Sequence, residues 1–239
     1  MIIPERASIV VLHGAMGSAA TMKPLVDELE RFVRVRAIDL IAHGGRPIPE
    51  RLSIPDMADD ALAQIGESDG TPTFVFGYSA GALVALRLAR YTPERFAGMC
   101  TLAAKYVFDQ TTIAHWTHAA TPERLKRPEL KRDSVLAERH APQDWTELAD
   151  VICRMFRDWA LHPPVTTEEL QRISLPALMF CSDKDQLVSV DETRALGALI
   201  PNSSVVFFRG QSHPLEIVPV APIAKAIGDW IGQVSAAPA

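Results

Sequence analysis

Short apolar runs alternate along this chain with longer stretches whose apolar residues recur at helical spacing. Six runs read as strands: "SIVVLHG" (8–14), "VRVRAIDL" (33–40), "TFVFGYS" (73–79), "FAGMCTLAA" (96–104), "PALMFCSD" (176–183) and "SSVVFFRG" (203–210). Several are unbroken rather than alternating in polarity, the pattern of strands covered on both faces. Between them lie periods near 3.6 in "ATMKPLVDELERF", "SIPDMADDALAQIGE", "GALVALRLARY", "DETRALGALI" and "PIAKAIGDWIGQV". Strands alternating with helices of this length predict an α/β fold, a doubly wound, mostly parallel sheet of about six strands.

One region breaks the alternation. From 104 to 172 no strand pattern occurs, and "DWTELADVICRMFRDWAL" places Trp145, Leu148, Ile152, Met155, Phe156 and Trp159 on one side of a helix. The expected division is a core of 1–103 and 173–239, with 104–172 inserted as a helical cap over the strand ends. The final "SAAPA" is expected to fray.

Composition narrows the class. The chain has 239 residues, 48% of them hydrophobic and 22% charged, which suits a globular fold with a sizeable core. A net charge of −5 gives no reason to expect nucleic acid or an anionic membrane as partner. The N-terminal "MIIPERASIVVLHG" shows no basic region leading into a secretion-type apolar stretch. Cys100, Cys153 and Cys181 are odd in number, widely spaced and outside any CxxC pair. They read as buried thiols, and a cytoplasmic location is expected.

In open α/β sheets ligands bind beyond the carboxyl ends of the strands. The polar residues at those ends are His13, Asp39, Ser79, Asp183, Asp185 and His213. Ser79 lies in Gly77-Tyr78-Ser79-Ala80-Gly81, where a strand turns sharply into a helix. His213 follows the last strand in a polar loop and reads as a general base. Asp185, further along its turn than Asp183, reads as the acid that orients the imidazole, with Asp183 as the alternative. Backbone N–H groups of Ala80 and Ala15, or Met16 in place of Ala15, read as the oxyanion donors. His13, Met16, Tyr78, Trp116, Trp145 and Trp159 are candidates for the pocket wall, although His13 also suits a role bracing its own loop and the tryptophans also suit a core. His115 and His118 lack a third ligand at useful spacing, so no metal is expected.

Taken in order, His13-Gly14-Ala15-Met16-Gly17, Asp39-Leu40-Ile41-Ala42-His43-Gly44, Gly77-Tyr78-Ser79-Ala80-Gly81, Ser182-Asp183-Lys184-Asp185 and Ser212-His213-Pro214 make the chain resemble the α/β-hydrolase superfamily over essentially its whole length. The resemblance implies Ser79 as nucleophile, His213 as base and Asp185 as acid. Asp185 stands at the last position of the family's G-x-x-D pattern, with Ser182 where glycine is usual. It implies a cofactor-independent serine hydrolase acting on a small-molecule ester-like substrate, a small to medium, largely uncharged ester or lactone. The alternatives are a thioesterase, a carbon–carbon bond hydrolase, a non-hydrolytic enzyme such as a lyase, perhydrolase or cyclase, and, last, a ligand-binding receptor on the same fold.

Overall fold

The computed structural model describes residues 7–236. The six apolar runs form one six-stranded sheet: β1 (Ser8–Leu12), β2 (Arg34–Ile38), β3 (Thr73–Tyr78), β4 (Gly98–Leu102), β5 (Ala177–Ser182) and β6 (Ser203–Phe208). All pair in parallel, in the order β2-β1-β3-β4-β5-β6. The order reverses between β1 and β3, because the chain first steps from β1 to β2 and then returns to the other side. Such a switch point opens a crevice where the two loops diverge. Leu12 is level with Ile38 on one side and Gly77 on the other, so His13, Asp39 and Ser79 leave the sheet along one edge.

Side chains alternate across the sheet into two separate cores, which explains the unbroken apolar runs. Val10, Leu12, Val75, Met99 and Met179 face one cluster. Ile9, Val11, Phe74, Phe76, Cys100, Leu178 and Phe180 face the other. The first cluster is covered by α2 (Ile54–Ile65), α3 (Ala80–Tyr91) and α9 (Val190–Leu199). The second is closed by α1 (Lys23–Leu29) packed on α10 (Ala221–Ala236). Helix α2 starts where Ser53 accepts the Asp56 N–H, with Pro55 in its first turn, and ends at Gly66.

Between β4 and β5 the chain forms five helices: α4 (Gln110–Ala120), α5 (Pro122–Leu125), α6 (Asp133–His140), α7 (Trp145–Asp158) and α8 (Thr167–Gln171). Helix α7 buries Trp145, Leu148, Ile152, Met155 and Phe156, and Trp159 is buried just beyond its end. Phe108, Trp116, Phe156 and Trp159 meet edge to face or tilted, with centroids 5.0–6.4 Å apart. The segment entering these helices is tied to α9 by a buried ion pair. Lys105 Nζ lies 2.7 Å from Glu192 Oε2, while Glu192 Oε1 accepts the N–H groups of Tyr106 and Val107.

Of the "SAAPA" tail, Ser235 and Ala236 belong to α10; the remainder lies outside the described residues, as do 1–6. Among the described residues no helix is long and apolar enough to cross a membrane.

Candidate active site

Ser79 is the single residue between β3 and α3, and its backbone sits at φ +53°, ψ −115°. A non-glycine residue there is strained by roughly 1–3 kcal/mol, an energy the surrounding packing must supply. That packing is close because its neighbours are small. A Cβ on Gly77 would lie 2.1 Å from the Gly81 carbonyl oxygen, and one on Gly81 would lie 2.5 Å from that of His13. Only glycine at both positions lets β3, α3 and the end of β1 meet at this distance. Ser79 thereby stands at the N-terminus of a helix whose first turn favours negative charge.

His213 lies between Ser79 and Asp185. Its Nδ1 is 2.8 Å from Asp185 Oδ2, and its Nε2 is 3.1 Å from Ser79 Oγ. With the carboxylate accepting, Nδ1 carries the proton and Nε2 is free to accept the serine O–H. Asp185 is held on its other oxygen by the N–H groups of Leu187 and Val188, at 2.8 and 3.0 Å. Burial works against its ionisation, yet the bond and charge of His213 and the two N–H donors outweigh it. Its carboxyl therefore stays below the ordinary carboxylate value. Asp183 points elsewhere: exposed, it accepts the Gly210 N–H at 2.6 Å and braces the turn between β5 and the loop after β6.

Tyr78, a candidate for the pocket wall, is half-buried next to Ser79. Its hydroxyl donates to the His213 carbonyl oxygen at 2.7 Å, and the two rings lie 5.4 Å apart. A Cβ on Gly14 would meet the Tyr78 ring at 3.0 Å and Ser79 Cβ at 3.1 Å, so the loop after β1 abuts the serine. In that loop Gly17 donates to the Gly14 carbonyl at 3.0 Å, closing a tight turn around Ala15 and Met16, with Met16 at φ +59°. Ala80 is the first residue of α3.

His13 is not a pocket residue. It is fully buried, its Nδ1–H donates to Gly14 at 2.8 Å, and its Nε2 accepts the Leu40 N–H at 3.1 Å. With both nitrogens occupied by backbone it ties the loops after β1 and β2 together. Burial pulls its pKa down to about 4, against the smaller opposing effect of the Gly14 hydrogen bond. His43, buried beside it with ring centroids 4.9 Å apart, is likewise held neutral by burial, well below the ordinary histidine value. Trp145 and Trp159 are also packing residues, 4% and 3% exposed, because the amphipathic face of α7 turns them into apolar clusters. Trp116 is half-buried. A groove of about 450 Å³ between α4 and the end of α7 is lined by Gln110, Ile113, Thr117 and Arg157, and by no residue of the Ser79 site. Among the described residues no three His, Cys, Asp or Glu side chains are arranged to hold a metal ion.

Known proteins share this architecture and sequence pattern. The biotin biosynthesis bifunctional protein of Cellvibrio japonicus is 23% identical over 97% of this chain, which spans about half (49%) of that relative's length. A pimeloyl-[acyl-carrier protein] methyl ester esterase of Edwardsiella ictaluri is 30% identical over 94% of this chain and 93% of its own. The solved enol-lactonase from Burkholderia xenovorans LB400 superposes with a TM-score of 0.76 at 18% identity, covering 95% of this chain and 92% of the other. A model of the alpha/beta hydrolase family matches residues 9–226. With a serine on a strained strand-to-helix turn and the sheet order on which that turn depends, the chain belongs to the alpha/beta hydrolase family.

Proposed function

We propose that this protein is a serine esterase that cleaves small to medium, largely uncharged carboxylic esters or lactones by way of an acyl-enzyme. The observation that carries the reading is the unbroken chain Asp185–His213–Ser79, with contacts of 2.8 and 3.1 Å. Ser79 Oγ attacks the acyl carbonyl as its proton passes to His213 Nε2, and Asp185 stabilises the imidazolium that forms. The N–H groups of Ala80 and Ala15 receive the oxyanion. His213 then returns the proton to the departing alkoxide, freeing the alcohol and leaving the acyl group on Ser79. Water, losing a proton to His213, attacks that acyl group, and collapse returns the proton to Ser79 with release of the acid.

The relatives named for a methyl ester and for an enol-lactone fit this substrate class. The helices of 104–172, anchored by Lys105 and Glu192, form the cap that shapes the acyl side of the site. The chemistry needs no cofactor. Three buried, unpaired thiols fit a reducing compartment, and hence the cytoplasm. The test is hydrolysis of p-nitrophenyl butyrate and a lactone panel. The native enzyme turns these over and is labelled by a fluorophosphonate at Ser79, whereas Ser79→Ala does neither. Turnover by Ser79→Ala equal to the native rate would refute the assignment.

A further inference from the structure

The turn after β1 is gripped by residues more than a hundred positions away. Met16, at φ +59°, holds a conformation that a non-glycine residue keeps only when its surroundings enforce it. Its carbonyl oxygen accepts from Arg139 Nη1 at 2.7 Å and lies 3.2 Å from His140 Nε2. His140 Nδ1 accepts the Gly44 N–H at 3.2 Å, so the proton of this imidazole sits on Nε2, facing Met16 as a second donor. His140 is fully buried, and burial lowers its pKa, which preserves that neutral tautomer. The fit is close on both sides: a Cβ on Gly45 would lie 2.2 Å from the Ala141 carbonyl oxygen. Three segments therefore interlock here, namely the turn 14–17, the loop after β2, and the end of α6 in the inserted helices.

A peptide group is planar, so fixing a carbonyl also fixes the plane of the following N–H. The Met16 carbonyl belongs to the same plane as the Gly17 N–H, which itself donates to Gly14 at 3.0 Å. The Gly14 carbonyl that accepts this bond shares a plane with the Ala15 N–H, so through the Gly17–Gly14 bond holding the Met16 carbonyl restrains the amides of the turn, that of Ala15 included. The turn abuts Ser79, so a small rotation of those amides changes how they meet a charge developing at the serine.

We propose that Arg139 and His140 are positioning residues for the oxyanion site: by clamping the Met16 carbonyl they hold the turn after β1 in its donor geometry, so that the inserted helices set catalytic competence as well as covering the site. The proposal rests on the serine-esterase reading above. Neither side chain touches the reacting atoms; both act through the Met16 peptide.

The test uses Arg139→Ala, Arg139→Lys, His140→Ala and His140→Gln in the full chain. The probe is an alkyl trifluoromethyl ketone, whose adduct with Ser79 places an oxyanion in the same site. Arg139→Ala and His140→Ala lower kcat for p-nitrophenyl butyrate about tenfold with KM unchanged, and raise the inhibition constant of the ketone by the same factor, a fraction of what losing a direct donor costs. Amide exchange over 14–18 rises in both, while Arg139→Lys and His140→Gln retain most of the native behaviour. Should His140→Ala fail to fold, the half-buried Arg139 variants carry the test alone. Equal ketone affinity in Arg139→Ala and the native enzyme overturns the clamp while leaving the esterase reading intact. A native enzyme indifferent to both the ketone and the fluorophosphonate overturns both.

Discussion

The Tyr78 hydroxyl donates to the backbone carbonyl of His213 at 2.7 Å, although 135 positions separate them. Tyr78 immediately precedes Ser79, so one rigid side chain links the strand that carries the serine to the loop that carries the histidine. The distance between Ser79 Oγ and His213 Nε2 is thus set partly by a group that takes no part in proton transfer.

Tyr78→Phe removes that bond while keeping the ring between Gly14 and His213. A neutral hydrogen bond contributes about 0.5–1.5 kcal/mol, so a loop freed by this amount should lower kcat by roughly 2- to 12-fold. KM is expected to stay near the native value, because the ring remains. Steady-state kinetics on p-nitrophenyl esters separates the two constants; a change confined to KM would make Tyr78 a wall of the pocket and not a brace for the histidine loop.

The two aspartates of the β5 turn should differ sharply. Asp185→Asn keeps the shape but no longer enforces a proton on Nδ1, and a loss on the order of 10³- to 10⁴-fold in kcat is expected. Asp183→Asn retains an oxygen for the Gly210 N–H and is expected to change kcat by less than about twofold, with a small loss of stability. The reverse ranking would exchange their roles.

Acid should unfold the protein earlier than its carboxylates alone require. In the unfolded chain a histidine binds its proton near pH 6.5, but in the folded protein His13 does so only near pH 4. Between these values the unfolded state holds more protons, so stability rises with pH and is lost as pH falls. For His13 alone the loss by pH 4 is about 3 kcal/mol, and His43 and His140 shift in the same direction. The depressed carboxyl of Asp185 acts differently: its contribution is whole above the ordinary carboxylate pKa and fades only below it. Urea midpoints at pH 7, 5.5 and 4.5 should fall steadily; a flat series down to pH 4.5 would contradict the neutral burial of these histidines.

Gly81→Ala sets two effects against each other. In a helix alanine is favoured over glycine by about 1 kcal/mol. The added Cβ, however, would sit 2.5 and 2.6 Å from the backbone oxygens of His13 and Leu12, which cannot swing away as a side chain could. Overpacking of this kind costs about 1–3 kcal/mol or more, so a net loss is expected, with α3 displaced from β1 and Ser79 with it. Thermal unfolding and the rate of fluorophosphonate labelling should both fall.

By itself the sequence determined the sheet, because a strand covered on both faces must be apolar at successive positions, and six such runs stand out from the helical periods between them. It also determined which residues leave the strands at the carboxyl edge, since order along a parallel sheet places Ser79, Asp185 and His213 there whatever the details of packing. The sequence favoured Asp185 but kept Asp183 as an alternative, because two carboxylates two residues apart differ little until the tertiary structure turns one to His213 and the other to Gly210. For His13, Trp145 and Trp159 the sequence left wall and support both open, as an aromatic residue near a site can line it or brace it from behind, and only their burial in the fold decided for support. Arg139 and His140 gave no local signal at all. Their partner is a backbone carbonyl, which every residue carries, so nothing in the residue types of Met16, Arg139 and His140 marks a contact that only the folding of α6 onto the turn after β1 creates.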